Sequence, residues 1–225
     1  NKLSKDLINK IAAGEVIERP ASVVKELLEN SIDAKSTKVE IRISNDCRNI
    51  RIADNGVGIH PDDIDIAFFK HTTSKISKYD DLWDITSFGF RGEALSSIMS
   101  ISKLKCTTKI DNCDYAVKVS FDENGNLIKS KTVSNRGTIF EIEDLFYNVP
   151  ARLKFLKNPK TEFSYIQEIV QQIALSNPDV SIILTNDNKT ALKTLGSGDL
   201  LSTISELYSV NIAHNLLEVK NKDIF

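Results

Sequence analysis

The fold is organised around the stretch PASVVKELLENSIDA, which occupies positions 20–34. Pro20 suits the first position of a helix, because its φ is already helical and the N–H that it lacks would have no partner there. The stretch therefore predicts an amphipathic helix. Its apolar face consists of Val23, Val24, Leu27, Leu28 and, as a further candidate, Ile32.

Two polar side chains lie one turn apart on another flank of this helix. A helix turns by about 100° per residue, so Glu26 and Asn30 are separated by about 40° in projection and stack on one side. Asp33 extends this stripe and Glu29 lies near it. A carboxylate that can take a proton from water thus stands beside an amide oxygen that can ligate a hard cation. Such a flank is more often only a solvated face, so its function depends on the motifs that accompany it.

The composition is that of an ordinary globular protein, with 41% of the 225 residues hydrophobic and 27% charged. This length allows one large domain, or one domain and the start of another. The net charge of −2 provides no overall field for nucleic acid, so any DNA contact must come from a local basic patch. No apolar run approaches the roughly 20 residues of a membrane helix, and we expect no membrane partner.

The cysteines and the two ends of the chain suggest an intracellular piece of a longer protein. Cys47, Cys106 and Cys113 are scattered, match no zinc spacing and are odd in number. With no signal peptide, they favour a reducing compartment. The chain lacks an initiator Met and stops just after a strand-like segment at 216–220, so we expect a truncated sequence.

The segments next to the central helix predict a short helix before it and a β-hairpin after it. Ser4 is a candidate N-cap for a helix that ends at Gly14. Apolar residues alternate over 39–43 and over 50–52, around a polar turn at 45–48. The second strand runs into Asp54-Asn55-Gly56-Val57-Gly58. The Asp could accept a hydrogen bond from an exocyclic amine, and the glycines permit close approach of backbone to a ligand, although a plain Asn-Gly turn is commoner.

A helix opened by Pro61 is followed by a segment without a clear period. Residues 70–88 form no recognisable element, and a stretch of that length inside a compact domain is often a lid. Lys75 could reach a phosphate from there, although a solvated lysine is the default. The next run, FGFRGEA at 88–94, feeds glycines into a helix start, where free N–H groups and the helix dipole favour an anion. Its spacing is neither that of a P-loop nor that of a Rossmann fingerprint.

The remaining chain predicts antiparallel strands and then helices. The expected strands are 104–110, 115–121, 127–133 and 138–142, with a turn over 122–126 and Gly137-Thr138 placing a hydroxyl at a strand start. The next helix is expected over about 162–176, and its predicted core residues are Phe163, Ile166, Ile169, Val170 and Ile173. After it come a hairpin over 180–195, a Gly-Ser-Gly linker at 196–198 and a helix over about 199–208.

In this order, the motifs resemble the ATP site shared by type II topoisomerases, the heat-shock chaperone ATPase, histidine kinases and MutL, the GHKL superfamily. The matching elements are Glu26-x-x-x-Asn30, Asp54-x-Gly56-x-Gly58, the long segment 70–88, Gly89-x-x-Gly92 and Gly137-Thr138. Three runs resemble more narrowly the MutL family of DNA mismatch repair proteins: IAAGEVIERPASVVKEL at 11–27, GFRGEAL at 89–95 and LFYNVPAR at 145–152. The similarity extends from about residue 3 to about residue 195.

The resemblance implies a fold and a set of residue roles. The fold would be an α/β two-layer sandwich of the Bergerat type, with a mixed, mostly antiparallel sheet and helices on one face. Glu26 would deprotonate the attacking water and Asn30 would hold Mg²⁺. Asp54 would read the adenine amino group of ATP with the support of Thr138. Gly56 and Gly58 would let the backbone approach the nucleotide, and the residues from Thr73 onward would close over the phosphates. The other implied ATP-binding residues are thus Ala34, Gly56, Gly58, Thr73, Ser74, Lys75, Gly89, Phe90, Arg91, Gly92 and Glu93.

The same resemblance implies an ATP-driven switch in mismatch repair. ATP would order the lid and the N-terminal arm, and two N-terminal regions would dimerise into a clamp. The clamp would signal from a mismatch recognition protein to a downstream nuclease or helicase. DNA would be held without sequence preference, for which Arg152, Lys154 and Lys157 are candidates, although a solvated basic turn is an equal alternative. The location would be cytoplasmic and nucleoid-associated in a bacterium, or nuclear in a eukaryote.

The resemblance divides the chain into an ATPase domain at 1–195 and the start of a second, S5-like domain at 196–225. In this family a lysine of the following domain reaches the γ-phosphate, so we expect this chain to bind nucleotide more readily than it hydrolyses it, and the intact protein to be a slow Mg-dependent ATPase. One departure from the family concerns Lys35, where glycine is frequent. A lysine costs little there if its φ is negative.

Two other functions stay open. The chain could be a nucleotide-responsive dimerisation module without catalysis, which phosphate release from the full-length protein would distinguish. It could also be a topoisomerase or histidine kinase ATPase. A histidine kinase would need a phospho-acceptor histidine before Glu26, but all three histidines of this chain lie after it. The topoisomerase alternative does not account for the run at 146–152, which resembles the MutL family.

Overall fold

The computed structural model describes residues 17–68, 94–122 and 125–217. The described strands are β1 (Lys38–Ser44), β2 (Asn49–Asp54), β3 (Lys103–Lys109), β4 (Ala116–Phe121), β5 (Leu127–Thr132), β6 (Gly137–Glu143), β7 (Ser181–Asn186) and β8 (Lys189–Lys193). The described helices are α1 (Pro20–Asp33), α2 (Ile64–Ala67), α3 (Ala94–Ile101), α4 (Pro150–Phe155), α5 (Pro159–Ser176), α6 (Leu200–Leu207) and α7 (Val210–His214).

The strands form a single mixed sheet in the order β5-β4-β3-β6-β2-β1-β7-β8. Neighbouring strands are antiparallel except β1 and β7, which are parallel. The prediction of a mixed, mostly antiparallel sheet is thus confirmed. Because β2 pairs with β6, Ala53 opposite Ile139, the end of β2 lies beside the start of β6. This register brings Asp54 next to Thr138.

The apolar core lies between one face of the sheet and the helices. Along β1, Val39, Ile41 and Ile43 are buried, whereas alternate residues are more exposed. Helix α1 packs against β2 and α5. Burying each large aliphatic side chain in this layer contributes roughly 1.5–3 kcal/mol relative to exposure, so the apolar stripe of α1 anchors its polar flank.

The C-terminal end of α1 contains a left-handed residue. The amide of Lys35 donates to the Ile32 carbonyl at 2.8 Å and that of Ser36 donates to the Ser31 carbonyl at 3.2 Å, which is the Schellman pattern. Lys35 has a φ of 60°. The condition for a low cost is therefore not met: the lysine occupies the position that glycine takes most often, at a cost of about 1–2 kcal/mol.

Helix α5 begins three residues earlier than the predicted start at 162. Asn158 caps it, since its side chain accepts the Thr161 amide hydrogen at 3.0 Å, and Pro159 is the first helical residue. The predicted core residues Ile166 and Val170 are buried. The other three predicted core residues, Phe163, Ile169 and Ile173, are only partly buried against the core. The short helix α4 was not predicted, because six residues are too few to show a period.

Several predictions fall on residues outside the described ranges. These are the helix at 4–14, the lid at 70–88, the glycines of 89–92 and the strand-like segment beyond 217. The helix expected after those glycines is described as α3. Near the C-terminal end, the amide of Leu195 donates to Glu206 at 3.0 Å and that of Gly198 donates to the Pro178 carbonyl at 2.9 Å. The domain boundary at residue 196 stays a prediction.

Candidate functional site

The polar flank of α1 remains partly accessible after the helix has packed. Glu26 and Asn30 are half-buried one turn apart, and so is Asp33. On the neighbouring flank, Lys25 and Glu29 form an ion pair at 3.9 Å. The apolar face of the helix is immobilised in the core, so the carboxylate of Glu26 and the amide of Asn30 project from a fixed support.

The carboxylate of Asp54, at the end of β2, is surrounded by hydrogen-bond donors. Its Oδ1 accepts the backbone amides of Gly56 at 2.9 Å and Thr138 at 3.2 Å, and Oδ2 lies 3.1 Å from Ser31 Oγ. Ser31 Oγ also lies 3.0 Å from the Leu27 carbonyl oxygen. Since the hydroxyl has one hydrogen, it serves only one of these acceptors at a time. Oδ2 is therefore the oxygen that can accept a hydrogen bond from a ligand amino group.

The charge of Asp54 is balanced between burial and these donors. Burial raises the pKa of Asp54, whereas the amides of Gly56 and Thr138 and then the hydroxyls of Ser31 and Ser36 lower it, and the net shift is upward. Burial, followed by the nearby Asp54 charge, also raises the pKa of the Cys106 thiol on β3, which stays protonated. Asp54 is therefore the hydrogen-bond acceptor of the site, and the balance between its burial and these donors determines how readily it ionises.

The glycine loop after β2 is attached to the end of α1. The amide of Val57 donates to the Ala34 carbonyl at 2.9 Å. A methyl group on Gly56 would lie 2.7 Å from the same carbonyl oxygen, and one on Gly58, whose φ is 77°, would overlap the Lys109 carbonyl. Close contacts within the protein therefore require both glycines, a reason that the sequence did not provide.

A pair of buried threonines connects this loop to the sheet. Thr108 on β3 lies opposite Thr138 on β6, and their hydroxyl oxygens are 3.2 Å apart. Thr108 Oγ1 accepts the Ile59 amide hydrogen at 2.8 Å and lies 3.3 Å from the Gly137 carbonyl oxygen. Thr138 thus supports Asp54 through its backbone amide, while its hydroxyl is paired with Thr108.

Arg136 holds the glycine loop from the side of β6. Its Nε donates to the Gly56 carbonyl at 3.0 Å, and its Nη1 lies 3.0 Å from a carboxylate oxygen of Asp111. The loop is therefore held at α1, at β3 and just before β6, which limits its freedom before any ligand binds.

The structure brings together five of the predicted site residues around the end of β2, namely Ala34, Asp54, Gly56, Gly58 and Thr138. Glu26 and Asn30 lie on the helix whose end holds the glycine loop. The other predicted residues lie outside the described ranges: Thr73, Ser74, Lys75, Gly89, Phe90, Arg91, Gly92 and Glu93. Sequence reasoning missed Ser31, Ser36, Thr108 and Arg136. Of these four, only Ser31 could have been predicted from the sequence to face the interior, because it continues the helical spacing of the apolar face of α1.

The residues present fit a magnesium ion held through phosphates better than a metal held by protein alone. In the part of the chain that the structure describes, no three His, Cys, Asp or Glu side chains form a group that could hold a metal. A phosphate-bridged Mg²⁺ needs only one or two protein oxygen ligands. The half-buried amide of Asn30 can supply one.

The motif at 145–152 turns the chain from β6 into α4. Phe146 is buried, and its amide donates to the Ile101 carbonyl at the end of α3 at 2.7 Å. Arg152, its last residue, is half-buried, whereas Lys154 and Lys157, which follow it, are exposed. The motif thus fixes the turn, and basic side chains follow it at the surface.

None of the helices in the described part of the chain has both the length and the apolar character that a membrane span requires.

Comparisons with known proteins agree on one family. The model of the "Histidine kinase-, DNA gyrase B-, and HSP90-like ATPase" family matches residues 17–146. The chain is 47% identical over 227 residues to the DNA mismatch repair protein MutL of Clostridium botulinum (strain Kyoto) and 43% identical over 227 residues to that of Lacticaseibacillus casei. Each alignment covers 100% of this chain and 34% of the relative. The chain therefore spans about a third of the length of these relatives.

A solved structure gives the same result. The Aquifex aeolicus MutL ATPase domain complexed with ADP matches with a TM-score of 0.70 and 36% identity, covering 86% of this chain and 70% of that chain.

Proposed function

The chain belongs to the MutL family of DNA mismatch repair proteins, as its N-terminal ATPase domain, and on this premise we propose that ATP binds between the polar flank of α1 and the end of β2 to drive dimerisation. The observation that carries the proposal is the connection of α1, which bears Glu26 and Asn30, to the loop after Asp54. One nucleotide spanning both would meet a base acceptor, a metal ligand and a general base.

Asp54 is the proposed adenine reader. Its Oδ1 is occupied by two backbone amides, whereas Oδ2 has only a shared serine hydrogen. The exocyclic amino group of adenine donates a hydrogen bond, so an ionised Oδ2 accepts it, while the O6 of guanine would meet a second acceptor. The fixed glycine loop supports adenine selectivity, because the acceptor is already in place.

Glu26 is the proposed general base. It takes a proton from a water whose oxygen attacks the γ-phosphorus, while the bond to the β–γ bridging oxygen breaks and leaves ADP and phosphate. Asn30 would hold Mg²⁺ at the phosphates, and the bound ion supplies charge neutralisation there. A positioned base contributes typically about 10²–10⁴-fold, a modest gain that suits a switch with slow turnover.

The conformational part of the proposal rests on the family resemblance. Thr73, Ser74, Lys75 and the run from Gly89 to Glu93 would close over the phosphates. Two N-terminal regions would then dimerise, since binding energy that orders a segment shifts a population toward the closed state. The clamp would connect a mismatch recognition protein to excision. DNA would be held without sequence preference, with Arg152, Lys154 and Lys157 as candidate contacts. The relatives named above are bacterial, which favours a cytoplasmic, nucleoid-associated location.

Two measurements on this chain and on the longer protein test the proposal. Light scattering should show a nucleotide-dependent dimer with a non-hydrolysable ATP analogue and Mg²⁺, and a monomer without them. Phosphate release should be slow in the longer protein and slower in residues 1–225. Failure of both proteins to bind ATP would overturn the proposal. Dimerisation without any phosphate release would favour the module that lacks catalysis.

A further inference from the structure

Ser36 has a buried hydroxyl without a hydrogen-bond partner, next to the proposed adenine site. The residue is 4% exposed, and its Oγ has no hydrogen bond among the described residues. A methyl group on Gly56 would lie 2.7 Å from this Oγ, so the hydroxyl lies directly against the glycine loop. Leaving a buried hydroxyl unpaired costs about 1–3 kcal/mol, so the Ser36 hydroxyl would gain stability from any acceptor that comes within reach.

Asp54 is the nearby group in need of a donor. The Ser36 hydroxyl is close enough to favour the ionised form of Asp54, although the geometry falls short of a hydrogen bond. The other serine at this carboxylate, Ser31, shares its one hydrogen with the Leu27 carbonyl. Ser36 therefore holds the one uncommitted hydroxyl hydrogen among the two serines that lie against Asp54.

We propose that Ser36 is a positioning residue of the nucleotide site, whose hydroxyl turns to donate to Asp54 when the adenine base binds. The inference rests on the proposed function. It adds a residue that acts on the base through Asp54 and holds the carboxylate as an acceptor. Desolvation by the base strengthens the need for this donor, because an ionised carboxylate buried without enough donors is costly.

Calorimetric titration of residues 1–225 with a non-hydrolysable ATP analogue tests the proposal. Ser36→Ala should raise the Kd about tenfold, the effect of losing a hydrogen bond to a charged group. In the double variant with Asp54→Asn, the loss from Ser36→Ala should vanish, because the two residues act as one unit. Ser102→Ala is the matched control. Ser102 is also buried, but its hydroxyl donates to the Ile98 carbonyl at 2.6 Å near the opposite end of β3, so wild-type affinity is expected.

The pH dependence of binding separates positioning from a merely structural effect. Binding requires ionised Asp54, while the nearby Cys106 thiol, whose pKa is raised by burial and then by the Asp54 charge, remains protonated. Without the Ser36 donor, the pKa of Asp54 rises further, so the midpoint of the acid loss of binding should move to higher pH in Ser36→Ala. A structural effect would weaken binding equally at every pH.

The outcomes distinguish this inference from the proposed function. If the wild-type chain does not bind the analogue, the proposed function fails. If wild type binds, Asp54→Asn weakens binding and Ser36→Ala has wild-type affinity and midpoint, the role of Ser36 alone is overturned. Should Ser36→Ala fail to fold, Ser36→Cys keeps a side chain of similar size with a weaker donor. Wild-type affinity in that variant would equally overturn the role.

Discussion

The amide of Val57 donates to the carbonyl of Ala34 at 2.9 Å, so the glycine loop after β2 is hydrogen-bonded to the end of the helix that carries Glu26 and Asn30. Two motifs more than twenty residues apart in sequence thereby share one site. Helix α1 is immobilised by its apolar face and the loop by three neighbouring elements. The proposed base, metal ligand and adenine reader are therefore preorganised relative to one another.

Glu26→Ala should bind ATP with nearly wild-type affinity and lose turnover. The carboxylate acts on water rather than on the nucleotide, so we expect phosphate release by the longer protein to fall by about 100-fold or more. Glu29→Ala is the control, because Glu29 lies about one turn after Glu26 on the same helix, and this variant should retain turnover. Unchanged phosphate release in Glu26→Ala would remove this residue as the general base.

Asn30→Ala should weaken binding of Mg-ATP more than binding of ATP in the presence of a chelator. The half-buried amide is the proposed protein ligand of the metal, and losing it should raise the Kd of Mg-ATP by about tenfold. Calorimetric titrations with and without Mg²⁺ measure the difference. Equal affinities of the variant and wild type for Mg-ATP would refute the metal role.

Asp54→Asn should invert the preference for the base. The amide oxygen can still accept from Gly56 and Thr138, which places the amide nitrogen, a donor, where Oδ2 had been an acceptor. ATP affinity should fall by about 100-fold, whereas a non-purine triphosphate should lose less and inosine triphosphate should gain relative to ATP. Asp144→Asn is the control, since Asp144 lies beyond the opposite end of β6, paired with Lys103 at 2.7 Å. Equal losses for all triphosphates would argue against adenine readout.

The same substitution should alter stability in a pH-dependent way. Because the folded-state pKa of Asp54 is raised, the native protein binds its proton more tightly than the unfolded chain does. The contribution of Asp54 to stability is complete below its unfolded pKa of about 3.9 and is lost as the pH rises through the folded pKa. Urea unfolding should therefore show the free energy of unfolding of Asp54→Asn rising relative to that of wild type as the pH increases from the unfolded pKa through the folded pKa. A constant difference between the two proteins would contradict the raised pKa.

Lys35→Gly should stabilise the protein. Lys35 has a φ of 60° at the end of α1, a conformation that glycine adopts without strain. We expect a gain of about 0.5–1 kcal/mol in the free energy of unfolding, after the larger unfolded-state entropy of glycine is subtracted. Lys35→Ala removes the same side chain but keeps the Cβ, and should show no gain. A loss of stability in Lys35→Gly would mean that the lysine side chain contributes more than the strain costs.

Local patterns in the sequence were sufficient for most elements of the described fold. The apolar spacing of α1 and the alternation over 39–43 and 50–52 predicted a helix and a hairpin that the structure contains. The early start of α5 could also have been predicted, because Asn158 and Pro159 are an N-cap and a first-turn proline. The φ of Lys35 could not, since lysine rarely signals a left-handed conformation.

The contacts of the site depend on pairings between distant parts of the chain. Thr108 and Thr138 face each other only because β3 and β6 are neighbours, a register that neither strand shows by itself. The approach of Arg136 to Gly56 spans 80 residues and follows from the pairing of β2 with β6. The sequence motifs therefore indicated which residues matter, while the sheet topology determines how Asp54 is held.

A crystal structure of residues 1–225 with a non-hydrolysable ATP analogue and Mg²⁺ would show whether one nucleotide spans the end of β2 and the polar flank of α1. We expect the adenine amino group within hydrogen-bonding distance, about 3 Å, of Asp54 Oδ2, and the phosphates on the side of Asn30 and Glu26. A nucleotide bound with its base away from Asp54, or with Asn30 and Glu26 facing another cavity, would contradict it.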